Sequence, residues 1–439
     1  MPTFHALLSS PAKSLSLRYI RTLPLLASLL LTPTLPAQTL ARPGWAGSGM
    51  TSNSWWKHSL LYSADPHQIQ QLSGKTTTNL KDLIASLDDL RTLGADGLLL
   101  NNLAATSSTM DQTAARYLDP TLGSLDDFDD LLRQASSHDL RILIALPASL
   151  SEIDLASAAR FWLNRGVAGI RLLPDSPSAS PSSAQAAGSQ AAKIQQLRIL
   201  TNSYVGERVV IGEAAADIAI APHAGRVHSP ETPQLAVFPL SFAIDTTLSA
   251  LRASLLKSES MAQDKGPLPL LEAEPSPNPD LSRVAATVLL GGHSAALLPP
   301  FAPASQTQAP VATSDHAIAL VSAADAPTLT DWYRRMSVLH QSSPALRKGT
   351  SLLLDHDDQN ALVWVRKPQV ISSISPPLVF VCNLSNKSIH LDLKSDMAKL
   401  HLRGSFLRTV LRSDNAMGPM NLDGVTLQPF GVYIGELRY

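Results

Sequence analysis

Residues 141–174, which read RILIALPASLSEIDLASAARFWLNRGVAGIRLLP, decide the fold. The runs at 141–147 and 169–174 are apolar on both faces, as strands in a covered parallel sheet are. A helix is predicted between them from three residues on one side: Ala158, Phe161 and Trp162. The segment is therefore interpreted as a strand–helix–strand unit of a parallel sheet.

The same alternation continues on both sides of this unit. Asn79 to Leu93 has an apolar helical face that ends at Gly94, and Ser124 and Asp280 are predicted to cap two later helices. Strands are predicted at 60–63, 97–101, 141–147, 169–174, 208–213, 234–240, 268–274 and 293–299. Eight such strands separated by helices predict an α/β fold of the (β/α)8 TIM-barrel type. A doubly wound open sheet is the alternative.

The pattern changes after Gly349. Strand-like runs at 361–365, 378–383, 390–393 and 432–437 follow one another without an amphipathic helix between them. Such a series predicts a small all-β sandwich domain. The predicted organisation is an N-terminal segment at 1–54, a barrel domain at 55–349 and a C-terminal β-sandwich domain at 350–439.

The N-terminal segment contains an apolar run at 22–37, preceded by basic residues and interrupted by prolines. The basic residues are Lys13, Arg18 and Arg21, and the prolines are Pro24, Pro33 and Pro36. The pattern is typical of a signal peptide, and the order of charges fits a type II membrane anchor equally well. Either interpretation places the later residues outside the cytosol. Asn383 and Asn386 each begin an Asn-x-Ser triplet, which makes them candidates for glycosylation.

Composition excludes several classes of function. Charged residues make up 16% of the chain and the net charge is -1, which argues against nucleic-acid binding. Cys382 is the one cysteine, so neither an intrachain disulfide nor a cysteine-based zinc site can form. His223 and His228, the nearest histidine pair, lack metal-ligand spacing. No metal and no cofactor is predicted.

The predicted barrel with a C-terminal β-domain resembles the α-amylase superfamily. That family carries its catalytic groups at the ends of the third, fourth, fifth and seventh strands. Arg171 matches the family arginine on the fourth strand and Glu213 matches the general acid on the fifth, but Leu173 stands where the nucleophile belongs. The third strand lacks the Asp and Asn-His of the family, and residues 270–274 lack its Asn-His-Asp.

A retaining glycosidase needs two carboxylates about 5 Å apart, one to attack the sugar and one to protonate the leaving oxygen. Because leucine offers no lone pair, Leu173 predicts that the chain is not an enzyme. Arg171, Leu173 and Glu213 are then vestiges of the family site, and Arg171 is interpreted as a structural ion-pair partner. The alternative is a glycoside hydrolase whose nucleophile is displaced to Asp175, Glu272 or Glu274.

Within the superfamily, the chain most resembles the heavy-chain family of the 4F2 antigen type (solute carrier family 3). The motifs that carry the resemblance are Trp55-Trp56-Lys57-His58 with Leu61-Tyr62, Asp119-Pro120-x-x-Gly123-Ser124-x-x-Asp127-Phe128, and Phe161-Trp162-Leu163 followed by Gly166-Val167-x-Gly169. The short connection after the third strand also leaves no room for the inserted domain that the enzymes carry. A catalytically silent barrel is the form this family takes.

This resemblance implies an ancillary subunit of a heteromeric amino-acid transporter, which binds a multi-span light chain and escorts it to the plasma membrane. It implies a single-pass type II protein with an extracellular barrel. The family's cysteine before the paired tryptophans is absent, so the association is predicted to be non-covalent. Trp55 and Trp56 are candidates for partner contact, with packing as the alternative. A secreted, non-catalytic binding protein is the remaining alternative.

Overall fold

The computed structural model describes residues 54–67, 69–70, 76–77, 79–104, 117–174, 184–213, 232–242, 248–263, 267–273, 276, 278–292, 294–298, 326–354, 360–414 and 418–439. The predictions that concern residues 1–53, Asp175, His223, His228 and Glu274 therefore lie outside the described residues.

Eight parallel strands close into a barrel. They are β1 (Leu60–Ala64), β2 (Gly97–Leu100), β3 (Arg141–Pro147), β4 (Gly169–Leu173), β5 (Val209–Glu213), β6 (Leu235–Leu240), β7 (Leu268–Ala273) and β8 (Ala295–Leu298). Each strand pairs with the next in the chain, and β8 pairs with β1, which closes the sheet. The predicted (β/α)8 barrel is confirmed, and the open-sheet alternative is excluded by this closure.

Helices surround the barrel and connect it to the C-terminal region. The described helices are α1 (Leu80–Ile84), α2 (Leu87–Thr92), α3 (Leu125–Ser137), α4 (Glu152–Arg165), α5 (Ala184–Asn202), α6 (Leu248–Gln263), α7 (Pro279–Gly291), α8 (Ala326–Ser342) and α9 (Pro344–Lys348). The helix predicted at 79–93 is two short helices, since the chain turns at Ala85 and Ser86.

Local chemistry explains where these helices begin and end. The Ser124 side chain accepts a hydrogen bond from the Asp127 amide while Asp127 reaches back to the Ser124 amide, so α3 begins with a capping box. Gly166, with φ 109°, ends α4 in the left-handed region. The predicted cap of α7, Asp280, is two residues late: Asn278 caps this helix by accepting from the Asp280 amide.

The barrel interior is apolar in its lower part. The inward side chains there are Leu61, Leu99, Leu143, Val209, Ile211, Leu235, Val237, Leu270, Ala295 and Leu297, all buried. Trp55 and Trp56 lie in a 3-10 turn (Trp55–His58) just before β1 and pack against this cluster. The lower barrel is therefore a filled core, and polar chemistry is confined to its carboxyl end.

The C-terminal region forms an antiparallel sheet domain, as predicted for the fold class. Its strands are β9 (Thr350–Leu353), β10 (Ala361–Lys367), β11 (Leu378–Asn383), β12 (Ile389–Leu391), β13 (Phe406–Arg412), β14 (Met420–Asn421), β15 (Val425–Leu427) and β16 (Val432–Arg438), with the short helix α10 (Lys394–Lys399). Six strands form one sheet in the order β9-β10-β11-β16-β13-β14, and β12 pairs with β15.

This sheet is fastened to the barrel helices. The rings of Trp364 and Phe380 stack with centroids 4.7 Å apart on the face that joins the barrel core. Trp364 Nε1 donates to the Gly291 carbonyl at the end of α7, at 3.3 Å. Arg366, fully buried, donates to the carbonyls of Leu346 and Gly349. The C-terminal sheet thus packs against the helices α7 and α9.

Candidate functional site

The carboxyl end of the barrel holds a cluster of three charged side chains, called here the mouth cluster: Arg171, Glu213 and Glu272. Arg171 lies on β4, Glu213 ends β5 and Glu272 lies near the end of β7. All three occupy inward positions, in register with the apolar residues below them. The ends of three strands thus contribute to one place, as catalytic groups do in barrel enzymes.

Arg171 joins the two carboxylates. Its Nη2 donates to Glu213 Oε1 at 3.0 Å and lies 3.5 Å from Glu272 Oε2. The side chain of Arg171 is 10% exposed, whereas those of Glu213 and Glu272 are 27% and 34% exposed. The guanidinium is therefore held inside the barrel, and the two carboxylates face the solvent above it.

Contact with one nitrogen limits the separation of the carboxylates. The two contacted oxygens cannot lie farther apart than the sum of their distances to Arg171 Nη2, which is about 6.5 Å. Retaining glycosidases hold their carboxyl groups about 5 to 5.5 Å apart and inverting enzymes about 6.5 to 9.5 Å. The bound on the contacted oxygens of Glu213 and Glu272 therefore includes the separation that a double-displacement mechanism requires.

Leu173 is the last residue of β4 and shares the inward side of the strand with Arg171. Its carbonyl accepts from the Ala148 amide at 2.8 Å, which ties the ends of β3 and β4 together. Leucine at this position contributes no carboxylate to the mouth cluster. Of the displaced nucleophiles weighed from the sequence, Glu272 is the one that the structure describes, and it does lie beside Glu213 and Arg171.

A second polar cluster lies at the ends of β1 and β2, and sequence reasoning missed it. His67 Nδ1 lies 2.9 Å from Asp65 Oδ1, and its Nε2 lies 3.4 Å from Asp119 Oδ2. Asn102, with φ 52°, donates from Nδ2 to Asp65 Oδ2 at 2.8 Å. Hydrogen bonds from Thr121 lower the pKa of Asp119. The signals in the sequence were the position of Asp65 directly after a buried strand and the motif that begins at Asp119.

Neither the mouth cluster nor the cluster of Asp65, His67 and Asp119 is a candidate metal centre. Among the described residues, no three His, Cys, Asp or Glu side chains are grouped so that they could hold a metal ion. Within the same part of the chain, no helix combines the length and apolar character needed to cross a membrane.

The other predicted site residues lie away from the mouth cluster. Trp55 donates from Nε1 to the Glu207 carbonyl at 3.2 Å, and the Arg141 guanidinium lies 4.6 Å from its ring centre. These contacts and the packing of Trp56 belong to the lower end of the barrel. The structure thus assigns both tryptophans a packing role, and their contact with a partner stays a prediction.

The two glycosylation candidates differ in exposure. Asn383 is fully buried, and its Nδ2 donates to the carbonyls of Lys387 and Gln428 at 2.6 and 2.8 Å. A glycan on Asn383 is incompatible with these contacts. Asn386 is exposed and stays a candidate.

Cys382 is buried, and burial raises the pKa of its thiol well above its usual range, so it offers no disulfide bond to a partner.

Comparison with known proteins finds solved structures of similar fold. No protein-family model matches the chain. The structure is similar to the trehalulose synthase from Pseudomonas mesoacidophila, with a TM-score of 0.66 and 14% identity over 88% of this chain and 99% of that one. At this level of identity, the likeness concerns the fold alone.

Curated relatives match over shorter stretches. The trehalose-6-phosphate hydrolase of Escherichia coli K12 is 36% identical over 93 residues, which are 20% of this chain and 17% of the relative. The amino acid transporter heavy chain SLC3A2 of Rattus norvegicus is 25% identical over 206 residues, 38% of this chain and 39% of the relative. The matches thus span less than half the length of these relatives.

These findings correct two predictions. They support the α-amylase superfamily but do not single out the 4F2 heavy-chain family. The prediction that the chain is not an enzyme is contradicted, since the matching relatives include a trehalose-6-phosphate hydrolase and a probable α-glucosidase. The prediction weighed Glu272 among the displaced nucleophiles but preferred the interpretation that Leu173 marks the loss of the catalytic pair. Glu272 places a second carboxylate beside Glu213 from another strand.

Proposed function

We propose that this chain is an enzyme acting on α-glucosidic bonds, with Glu213 and Glu272 as its two catalytic carboxylates. The observation that carries the proposal is the shared contact of both carboxylates with Arg171 at the carboxyl end of the barrel. The upper bound that this contact sets on their separation is compatible with a retaining double displacement. Their partial exposure leaves room for a sugar to approach them from solvent.

In the first step, Glu213 is the general acid and Glu272 the nucleophile. A Glu272 carboxylate oxygen attacks the anomeric carbon while Glu213 donates its proton to the glycosidic oxygen, and the leaving alcohol departs. In the second step, Glu213 takes a proton from water. The resulting hydroxide attacks the anomeric carbon and releases the Glu272 carboxylate and the sugar, which leaves both residues in their starting states.

Arg171 acts as a positioning residue in this scheme. Its guanidinium is planar and carries several donors, so it can hold two carboxylates from different strands at once. Because the Arg171 side chain is nearly buried, its own position is fixed by the barrel wall. A pair of catalytic groups must be held to within a fraction of an ångström for efficient displacement, and this contact provides that constraint.

The comparisons support the substrate class. The Escherichia coli relative is named a trehalose-6-phosphate hydrolase, and another relative, from Rhizobium meliloti, is named a probable α-glucosidase. Both names describe cleavage of bonds to glucose. The displaced nucleophile is the feature in which this chain departs from the family pattern.

Hydrolysis of p-nitrophenyl α-glucoside, maltose and trehalose 6-phosphate by the purified chain tests the proposal. Glu213→Gln and Glu272→Gln should each abolish the activity while leaving the circular dichroism spectrum unchanged. Glu152→Gln, which alters an exposed glutamate on α4, is the matched control and should retain it. Trapping with a fluorinated glucosyl fluoride should attach the sugar to Glu272. Turnover that is absent, or equal in all variants, contradicts the proposal.

A second candidate function is the ancillary heavy chain of an amino-acid transporter at the plasma membrane. It is favoured by the longer match to the rat heavy chain, 206 residues against 93 for the Escherichia coli hydrolase. Affinity purification of the full chain from membranes should then recover a multi-span permease. The two should separate on a gel without reductant, because the thiol of Cys382 is buried. Recovery from the medium alone, with no permease, contradicts this candidate.

A further inference from the structure

The loop between β10 and β11, residues 368–377, is uncharged and exposes large aliphatic side chains. It reads PQVISSISPP and is called here the apolar loop. Val370, Ile371 and Ile374 are 75%, 45% and 92% exposed. Single exposed hydrophobic residues are ordinary on protein surfaces, but three within five residues form a patch.

The apolar loop is held in a defined shape. The Ser372 amide donates to the Ser375 carbonyl at 3.1 Å, and the Ser375 amide donates to Ser372 Oγ at 3.0 Å. Arg438 Nη1 donates to the Ser373 carbonyl at 2.6 Å. These bonds close a turn with Ile374 at its tip and fasten that turn to the end of β16. The aliphatic side chains are therefore presented to the surroundings rather than folded back onto the sheet.

The edge of the sheet that carries the apolar loop is basic. The register brings the end of β10, the start of β9, the end of β16 and the start of β13 to this edge, through the pairs Thr350–Lys367 and Phe406–Arg438. The cationic residues at these strand ends or within three residues of them in the chain include Arg347, Lys348, Lys367, Arg403 and Arg438.

Few acidic side chains lie at this edge, and Glu436 is already paired with arginines. Residues 360–391 contain no Asp or Glu. Glu436, which is near the end of β16, forms ion pairs with Arg408 and Arg438. The apolar loop is therefore an uncharged projection from a sheet edge at which cationic residues outnumber acidic ones.

We propose that the apolar loop docks this domain onto an anionic lipid bilayer. Aliphatic side chains at the tip can enter the boundary between head groups and acyl chains, while the surrounding cations remain at the level of the lipid phosphates. A second copy of the chain fits this surface less well. Two copies joined tip to tip would bring their basic edges together, and like charges across an interface oppose association.

Vesicle binding by the full-length chain tests the proposal. Ser373→Cys provides an exposed attachment point for an environment-sensitive fluorophore, and buried Cys382 does not compete for the label. Ile153→Cys, at an aliphatic position 80% exposed on α4, provides the matched control site. A probe in the loop reports on the loop itself, so any contribution of residues 22–37 to binding does not obscure the result.

The loop probe should shift to the blue with phosphatidylcholine vesicles that contain phosphatidylserine, and much less with phosphatidylcholine alone. High salt should weaken the response. Val370→Ser with Ile374→Ser should raise the lipid concentration at half-maximal shift by at least about tenfold. Ile153→Ser should leave it unchanged.

Three results would overturn the proposal. The first is a loop probe that does not respond to anionic vesicles. The second is an equal response from the Ile153→Cys probe, or a response that survives the double serine substitution. The third is a blue shift that grows with protein concentration in the absence of lipid, which would show that a second copy covers the loop.

Discussion

Arg171 on β4 holds Glu213 on β5 through a hydrogen bond of 3.0 Å from Nη2 to Oε1, and the same nitrogen lies 3.5 Å from Glu272 on β7. One buried cation thus serves two carboxylates from strands on different sides of the barrel. Removing the cation would take away the guanidinium that both carboxylates contact. The contact therefore affects both the stability of the barrel mouth and the geometry of the proposed catalytic pair.

Arg171→Met should lower the free energy of unfolding by about 2 kcal/mol at neutral pH. The effect of breaking a buried ion pair is about 3 to 5 kcal/mol, and the partial exposure of the two glutamates reduces it here. Urea unfolding followed by circular dichroism measures the change. Adding Glu213→Gln to Arg171→Met should restore part of the loss, since it removes one of the facing charges. A single variant as stable as the wild type would show that the contact contributes nothing.

Strands buried on both faces were predictable from sequence. The run at Arg141–Pro147 was predicted with both of its ends, and so was Leu378–Asn383. Such runs are apolar throughout because helices or a second layer cover each face. The strand at Phe406–Arg412 was missed, since Arg408 and Arg412 interrupt it and a register shift between Thr409 and Leu411 breaks its alternation.

The mouth cluster was predictable only in part. Arg171 lies on β4 and Glu213 ends the neighbouring strand β5, so their approach follows from the βα order alone. Glu272 contacts Arg171 from β7, a strand that is not next to β4. Whether side chains on such strands meet depends on the diameter of the closed barrel, which the spacing of residues in the sequence does not give. The same limit hid the contact of His67 with Asp119, 52 residues apart. Sequence patterns locate strand ends but do not say which of them face each other.

Trp55 should contribute to stability, because its contacts are internal to the barrel. Trp55→Phe keeps an aromatic ring near Arg141 but loses the hydrogen bond to the Glu207 carbonyl, and should cost about 1 kcal/mol. Trp55→Ala also loses the packing and should cost about 2 to 3 kcal/mol. Denaturant unfolding distinguishes the two variants. Unchanged stability in Trp55→Ala, together with loss of a binding partner, would instead assign this residue to partner contact.

His340 should make the protein less stable in mild acid. Its side chain is buried and its Nδ1–H donates to the Leu290 carbonyl at 2.7 Å. Burial, with a smaller contribution from Arg366, lowers the pKa of His340 in the folded state. The unfolded chain, with a histidine pKa of about 6.5, then binds a proton that the folded chain does not, so stability falls as the pH drops below that value.

The size of this effect can be measured by difference. Between pH 7.5 and pH 5.5, the wild type should lose about 1 kcal/mol more of its unfolding free energy than His340→Gln does. The variant cannot titrate in this range, so the comparison removes the contribution of every other group. An identical pH dependence in the two proteins would show that His340 does not resist protonation in the folded state.

Expression in secretory cells should show a glycan at Asn386 and none at Asn383. Asn386 is exposed, whereas Asn383 uses its Nδ2 to bind two carbonyls and its Oδ1 to accept from the Ser385 amide at 2.9 Å. Asn386→Gln should therefore abolish the mobility shift on treatment with peptide N-glycosidase without changing the melting temperature. Asn383→Gln should keep the mobility shift. It should lose about 2 kcal/mol of stability, because the carbonyls of Lys387 and Gln428 and the Ser385 amide lose their hydrogen-bond partner. A shift that survives Asn386→Gln and disappears in Asn383→Gln would mean that residues 383–388 do not adopt the turn described.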